Sequence, residues 1–193
     1  NIDGVTLASD FSPPLVVNPQ PNVTNITPET CNLSATINTD GNIYYGVLVT
    51  GAAAPTSAEV KAGTGSGGVP SVTSGNYTVT NSVEHTFSVI GLTASINYSV
   101  YLVAEDYATS PNLQTTPTGP INFSTTAVPL YNVTYNDNGS DSGTTPTDST
   151  DYEFGDEVTV LALNESTPLI KTNYTFEGWN TAADGSGDNY MPN

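Results

Sequence analysis

His85 and Cys31 are the only histidine and the only cysteine in 193 residues, so nucleophilic or soft-metal chemistry must be built on them. A Ser-His-Asp or Cys-His arrangement would need His85 as its base. The residue lies in a strand-like run, flanked by Glu84 and Thr86, which suits a sheet-surface histidine. With Cys31 it supplies two soft ligands, too few for a zinc site. A lone cysteine makes no internal disulfide, and Cys31 reads as a small apolar strand residue. Paired carboxylates could hydrolyse a glycosidic bond across a cleft. The candidates Glu105-Asp106 and Asp156-Glu157 instead fall at strand ends, where solvation accounts for them. The loops 136–141 and 184–188 carry oxygen ligands suited to calcium but match no defined calcium-loop spacing. Asn, Asp and Gly there are ordinary turn formers. The Gly-rich stretch 63–68 lacks the Lys-Ser/Thr ending of a phosphate loop. The expectation is a chain that is not an enzyme and that holds no metal or cofactor. Tyrosine faces could pack on sugar rings, but alternation assigns many of the 11 tyrosines to cores and cross-strand pairs.

Two basic residues, Lys61 and Lys171, stand against 19 acidic ones, for a net charge of −17. Charged residues total only 11%, so the imbalance comes from missing Lys and Arg rather than from a flood of carboxylates. That favours a secreted, hydroxyl-rich surface protein over a salt-adapted one. With no basic patch to displace counterions, nucleic acid is a poor partner. Nothing resembles a stretch of about 18 apolar residues, so no membrane insertion is expected in this segment. An export signal, if used, was removed or lies upstream of Asn1. Asn-x-Ser/Thr triplets begin at Asn22, Asn25, Asn32, Asn76, Asn97, Asn122, Asn132, Asn138, Asn164 and Asn173. In an exported chain each is a candidate glycan acceptor, which makes glycans a possible partner.

The elements that must position these residues are strands. β-branched and aromatic residues come in short alternating runs between Gly, Pro, Asn and Asp, the all-β pattern. Residues 1–20 read as a strand near Gly4–Ser9 followed by a Pro-rich tether. Strands follow at Cys31–Thr39 and Asn42–Thr50, with Asp40-Gly41 between them as a hairpin signal. Residues 55–62 give the one short helix, capped by Thr56 or Ser57 and ended by Gly63. Further strands are expected at Tyr77–Thr80, Glu84–Ile90, Tyr98–Glu105 and Ile121–Thr125. After a boundary at 126–130 come Tyr131–Tyr135, Glu157–Leu163 and Tyr174–Trp179.

The first unit, residues 21–127, resembles a fibronectin type III-like domain of large microbial surface proteins. Tyr44-Tyr45-Gly46-Val47-Leu48-Val49, the segment from Ala54 to Gly63, and Tyr98-Ser99-Val100-Tyr101-Leu102-Val103-Ala104-Glu105-Asp106 carry that likeness. Leu92 and Tyr98, six apart, match the tyrosine corner, in which a Tyr hydroxyl bonds back to nearby backbone. The second unit, residues 128–193, resembles an internalin-type B repeat. Tyr131-Asn132-Val133-Thr134-Tyr135 and the run from Tyr174 to Gly187 carry it, with Trp179 as core anchor. The fold class expected is therefore a β-sandwich followed by a small β-rich repeat domain.

The B-repeat likeness implies a closing strand of the form Val-Thr-Leu-Tyr-Ala-x-Trp, which residues 128–193 lack. Its equivalent stands at the other end, where Gly4, Val5, Thr6, Leu7 and Ala8 have the same pattern. This leads to the expectation that residues 1–11 complete the repeat of a neighbour, either the preceding copy in one chain or a separate subunit. An incoming strand would gain ladder bonds and burial together. Head-to-tail contacts that do not close give a filament. The plain alternative is an ordinary strand at each end of a fragment. The expected function is structural: a subunit or repeat of an extracellular, glycan-bearing cell-surface filament or stalk whose partners are other copies of itself. The competing expectation is an adhesin or carbohydrate-binding module of a larger secreted protein.

Overall fold

The computed structural model describes residues 13–17 and 21–192. The expected strand at Gly4–Ala8 lies outside the described residues. The chain divides into two compact units, Asn1–Val128 and Pro129–Asn193.

Nearly all regular structure is antiparallel β, as the alternation requires. In the first unit β1 (Asn22–Thr24), β2 (Cys31–Ala35) and β5 (His85–Val89) form one sheet in the order β1-β2-β5. β3 (Gly41–Val49), β4 (Thr73–Val79), β6 (Asn97–Asp106) and β7 (Thr118–Ser124) form the other, in the order β4-β3-β6-β7. The two sheets enclose one core. Leu33 and Ala35 of β2, Phe87 and Val89 of β5, Ile43, Tyr45 and Val47 of β3, and Tyr98, Val100, Leu102 and Ala104 of β6 are all buried in it. Every second residue points inward, the period of a pleated strand. Tyr77 closes one side by stacking on Phe87, with ring centroids 4.3 Å apart.

The expected hairpin at Asp40-Gly41 is not one. β2 and β3 belong to different sheets, so this dipeptide turns the chain across the sandwich. Gly41 is required there for another reason: a Cβ would lie 2.0 Å from the Glu105 carbonyl oxygen on β6. The short helix is present as α1 (Ser57–Lys61). Thr56 caps it reciprocally with Glu59, whose carboxylate accepts the Thr56 amide at 2.7 Å. The helix lies on the outer face of the larger sheet. Val60 there joins Leu48, Tyr101 and Val103 in a second buried cluster.

Residues 14–17 lie along the sandwich rather than standing free. Pro14 is fully buried, Val16 bridges Ile37, and the Val17 amide donates to the Thr36 carbonyl at 2.8 Å. The chain therefore joins the unit at the pole where β2 passes to β3. It leaves at the opposite pole, where Thr125 donates to the Ile96 carbonyl and Thr126 to the Thr27 carbonyl. A ten-residue strand such as β6 rises roughly 33 Å between those poles.

The second unit is different in kind. Its strands are β8 (Trp179–Asn180) and β9 (Asn189–Tyr190), with single bridges Tyr131–Tyr152 and Ser142–Ile170. Among the described residues, the ladders expected over Tyr131–Tyr135, Glu157–Leu163 and Tyr174–Trp179 are reduced to the Tyr131–Tyr152 bridge and the Trp179–Tyr190 pair, although the alternation is present. Residues of all three segments line an open cleft.

Candidate functional site

His85, Cys31, Glu105 and Asp106 of the first unit each sit in a structural contact or in the core. His85 Nε2 accepts the Thr80 amide at 2.9 Å. Cys31 is buried, and burial pushes its thiol up to about 11, which suppresses the thiolate that a nucleophile needs. Glu105, nearly buried, accepts from the Tyr44 hydroxyl at 2.9 Å and forms an ion pair with Lys61 of α1. That carboxylate bond raises the Lys61 ammonium, while burial and Glu105 raise the Tyr44 phenol. Asp106 accepts from the Asn112 side chain and backbone at 2.8 Å, which holds its carboxyl low. The adjacent carboxylates Glu105 and Asp106 thus serve separate structural networks. Asp156 accepts the Glu153 amide at 2.8 Å.

The tyrosine at the exit pole sits in the core beside Leu92, and its phenol oxygen accepts the Thr93 amide at 3.0 Å. The acidic loops of the second unit are turn-forming. Asn136 Oδ1 accepts from Asn138, Asp137 Oδ1 from Gly139, and Asp184 Oδ1 from both the amide and the hydroxyl of Ser186. The Ser186 bonds hold Asp184 below the usual carboxylate range. Among the described residues, no group of three or more His, Cys, Asp or Glu is placed to hold a metal ion. No helix among them is long and apolar enough to cross a membrane.

Among the described residues, the second unit holds an open cleft of about 1260 Å³. Its walls come from the segments read as strands: Val133 and Tyr135, then Val158 and Val160, then Tyr174, Phe176 and Trp179, with Leu169 and Ile170 between. Trp179 is fixed at one end. Its Nε1 donates to the Leu161 carbonyl at 2.8 Å, and the Leu161 amide donates to the Tyr135 hydroxyl at 2.8 Å. The Tyr135 and Phe176 rings pack against the indole at 4.6 and 5.1 Å. Behind it, Asn180 ties the β8–β9 turn, taking the amides of Ala182 and Gly187 and donating to the carbonyls of Gly185 and Gly187. At the rim Lys171 lies 5.4 Å over the Tyr174 ring and donates to the Asn138 carbonyl at 3.1 Å.

The walls mix apolar and polar side chains, and several of the apolar ones are exposed. Tyr174 is 74% exposed, Ile170 56% and Tyr190 48%. Among the described residues of this unit only Pro146 is buried. Trp179, expected as a core anchor, is half-buried at the cleft wall. Its packing partners, the Tyr135 and Phe176 rings, are in place. Sequence reading identified Trp179 and the alternating segments. It missed Leu169, Ile170 and Lys171, whose run lacks a clean period, and it missed the Lys61–Glu105–Tyr44 network. A signal for that network existed: Lys61 ends a helix in a chain with one other cation.

Most triplet asparagines, including Asn22, Asn25, Asn76, Asn97, Asn122, Asn132, Asn138 and Asn173, are exposed, while Asn32 and Asn164 are half-buried.

Comparison with known proteins places the second unit in context. Residues 131–193 match the family described as the Listeria-Bacteroides repeat domain. A protein of Evansella cellulosilytica provisionally named a membrane protein is 42% identical over 62 residues, 32% of this chain and 9% of that one. Another from the same organism, provisionally named a Gly-rich membrane protein, is 46% identical over 63 residues, 32% of this chain and 7% of that one. The chain thus spans less than a tenth of the length of these relatives. A solved structure from a computer-based redesign of a β-sandwich protein aligns with 61% of this chain and 98% of its own, at 15% identity and a TM-score of 0.35.

Proposed function

We propose that this chain is a structural segment of a bacterial cell-surface protein, a repeat or subunit of a stalk or filament lying outside the cell, and not an enzyme. Copies join head to tail, the second unit of one being completed by a strand from a neighbouring copy. The observation that carries the proposal is the open cleft. Aliphatic and aromatic side chains line it beside polar ones such as Asn136, Thr175 and Glu177, and several of the apolar ones are exposed. An apolar surface of this kind gains roughly 1.5–3 kcal/mol for each side chain that becomes fully covered. An added strand supplies cover and hydrogen-bond partners at once.

The donor we favour is residues 4–8 of another copy. Val5, Leu7 and Phe11 have the sequence spacing that would put them on one face if the segment were extended. Asp3 and Asp10 bracket it, and Lys171 is the cation at the cleft rim. From Pro13 the preceding 12 residues reach about 40 Å when extended. Support also comes from the first unit. Its strand order and pole-to-pole course suit a fibronectin type III-like spacer that adds length to a stalk. The matched repeat family and the membrane-protein names of the two relatives favour a surface location.

The test is association. The full chain should form concentration-dependent oligomers in sedimentation and linear assemblies in negative-stain microscopy. A chain truncated before Ser12 should stay monomeric. Because each copy carries a net charge of −17, association should strengthen with salt. Equal association with and without residues 1–11 removes the strand-donation proposal.

A second reading, an adhesin or carbohydrate-binding module, is favoured by one feature: Tyr135, Tyr174, Phe176, Trp179 and Tyr190 all line the cleft. Val158, Val160, Leu169 and Ile170 weigh against it, since branched aliphatics offer nothing to a hydroxyl-rich ligand. Saturable quenching of Trp179 by oligosaccharides, without oligomers, would select this reading instead.

A further inference from the structure

The Asn-x-Ser/Thr triplets are not equivalent once folded, and two of them close each other. In the register of β6 with β7, Asn97 faces Ser124 and Ser99 faces Asn122. Ser99 and Ser124 are the hydroxyl residues of the triplets that begin at Asn97 and Asn122. Ser124 Oγ donates to Asn97 Oδ1 at 2.6 Å, and Ser99 Oγ donates to Asn122 Oδ1 at 2.7 Å. Each hydroxyl is spent on the other triplet's carboxamide, and both backbones are held in the same ladder. An enzyme that must take an asparagine together with its own hydroxyl residue from a flexible segment finds neither triplet available.

Asn173 is the opposite case. It is exposed, and its φ of 67° places it in the left-handed region that asparagine tolerates in turns. The Tyr174 amide donates to the Lys171 carbonyl at 3.0 Å, which closes the turn beneath it. Neither the Asn173 amide nor the Thr175 hydroxyl has a hydrogen bond among the described residues.

We infer that Asn173 is a site at which the folded chain accepts an N-linked oligosaccharide, and that Asn97 and Asn122 are shut to transfer by their reciprocal bonds. The co-substrate class is an oligosaccharide carried on a lipid pyrophosphate. Asn173 Nδ2 forms the new bond to the anomeric carbon. The bond from that carbon to the pyrophosphate oxygen breaks, and the lipid pyrophosphate leaves with the electron pair. One amide proton passes to a base of the transferase. The inference rests on the triplets being used, and because Thr175 lines the cleft it concerns the chain before a neighbour's strand is seated.

The test supplies the full chain, and separately synthetic peptides spanning residues 95–101, 120–126 and 171–177, to a single-subunit oligosaccharyltransferase with its lipid-linked oligosaccharide. Glycopeptide mass spectrometry reads each site. All three peptides should be modified. In the full chain Asn173 should be modified at a rate close to that of its peptide. Asn97 and Asn122 should be slowed more than about tenfold, because only local opening of β7 releases them. Thr175→Ala should abolish the Asn173 glycan without creating one at the locked pair. Modification of Asn97 or Asn122 in the full chain as fast as in the peptides overturns the inference. So does an unmodified Asn173 in the full chain, and so does failure of the peptides themselves.

Discussion

Ile37 and Ile170 allow one substitution to be made in two environments. Ile37 is fully buried between the sheets of the first unit, whereas Ile170 is 56% exposed on the cleft wall of the second. Changing a buried Ile to Ala removes the transfer free energy of three carbons and leaves a cavity, at a cost of about 2–5 kcal/mol. Ile37→Ala should fall in that range, since its neighbours are held by ladders on both sides. Ile170→Ala should cost no more than about 0.5 kcal/mol in the dissociated chain, the usual size for an exposed substitution. The assay is urea denaturation at a concentration where the chain is monomeric. Far-ultraviolet circular dichroism follows the first unit. Trp179, the sole tryptophan, reports the second. In assembled material the Ile170→Ala cost should rise toward that of Ile37→Ala, because a donated strand would bury the site. A cost of 2 kcal/mol or more for Ile170→Ala in the monomer would refute the reasoning, since it would mean that the cleft is already a closed core.

Two further expectations follow from the first unit. Burial pushes the Cys31 thiol up to about 11 and the Tyr45 phenol up to about 12, both above their ordinary values. The folded state therefore holds these protons more tightly than the unfolded one, so this stability is complete below about pH 9 and is lost as pH rises through 11–12. Thermal midpoints should fall across that window, Cys31→Ala should flatten the fall, and a thiol reagent at pH 8 should label Cys31 only after unfolding. Gly41→Ala would press a Cβ to 2.0 Å from the Glu105 carbonyl oxygen, so it should cost about 3 kcal/mol or more in a melting experiment. A neutral result would show that β3 and β6 are not so closely apposed.

Much of the first unit was legible because its strands alternate cleanly. Tyr45 and Val47 lie on the core face of β3 and Tyr44 and Leu48 on the other, as period two assigns them. Period two does not say which element covers a face. Hence α1 above Leu48, and the tie from Lys61 to Glu105, emerged only from the structure. Turn residues mark a reversal but not its destination. Asp40-Gly41 read as a hairpin and proved to be a passage between sheets, because a glycine demanded by contact with β6 carries the same signature as one demanded by a tight turn. In the second unit the alternation of Val158 and Val160, and of Tyr174 and Phe176, was legible as strand. Strand pattern is a statement about the side chains, whereas a ladder also needs a partner backbone. Among the described residues those segments have almost none.

The most direct test of the account is the environment of Trp179 when the chain truncated before Ser12 is titrated with a peptide of residues 1–12. Strand donation should produce a saturable blue shift of indole emission, loss of acrylamide quenching and a higher melting midpoint for the second unit. A scrambled peptide of the same composition should produce none of these. An indole that stays equally quenchable at saturating peptide, with the melt unchanged, would contradict it.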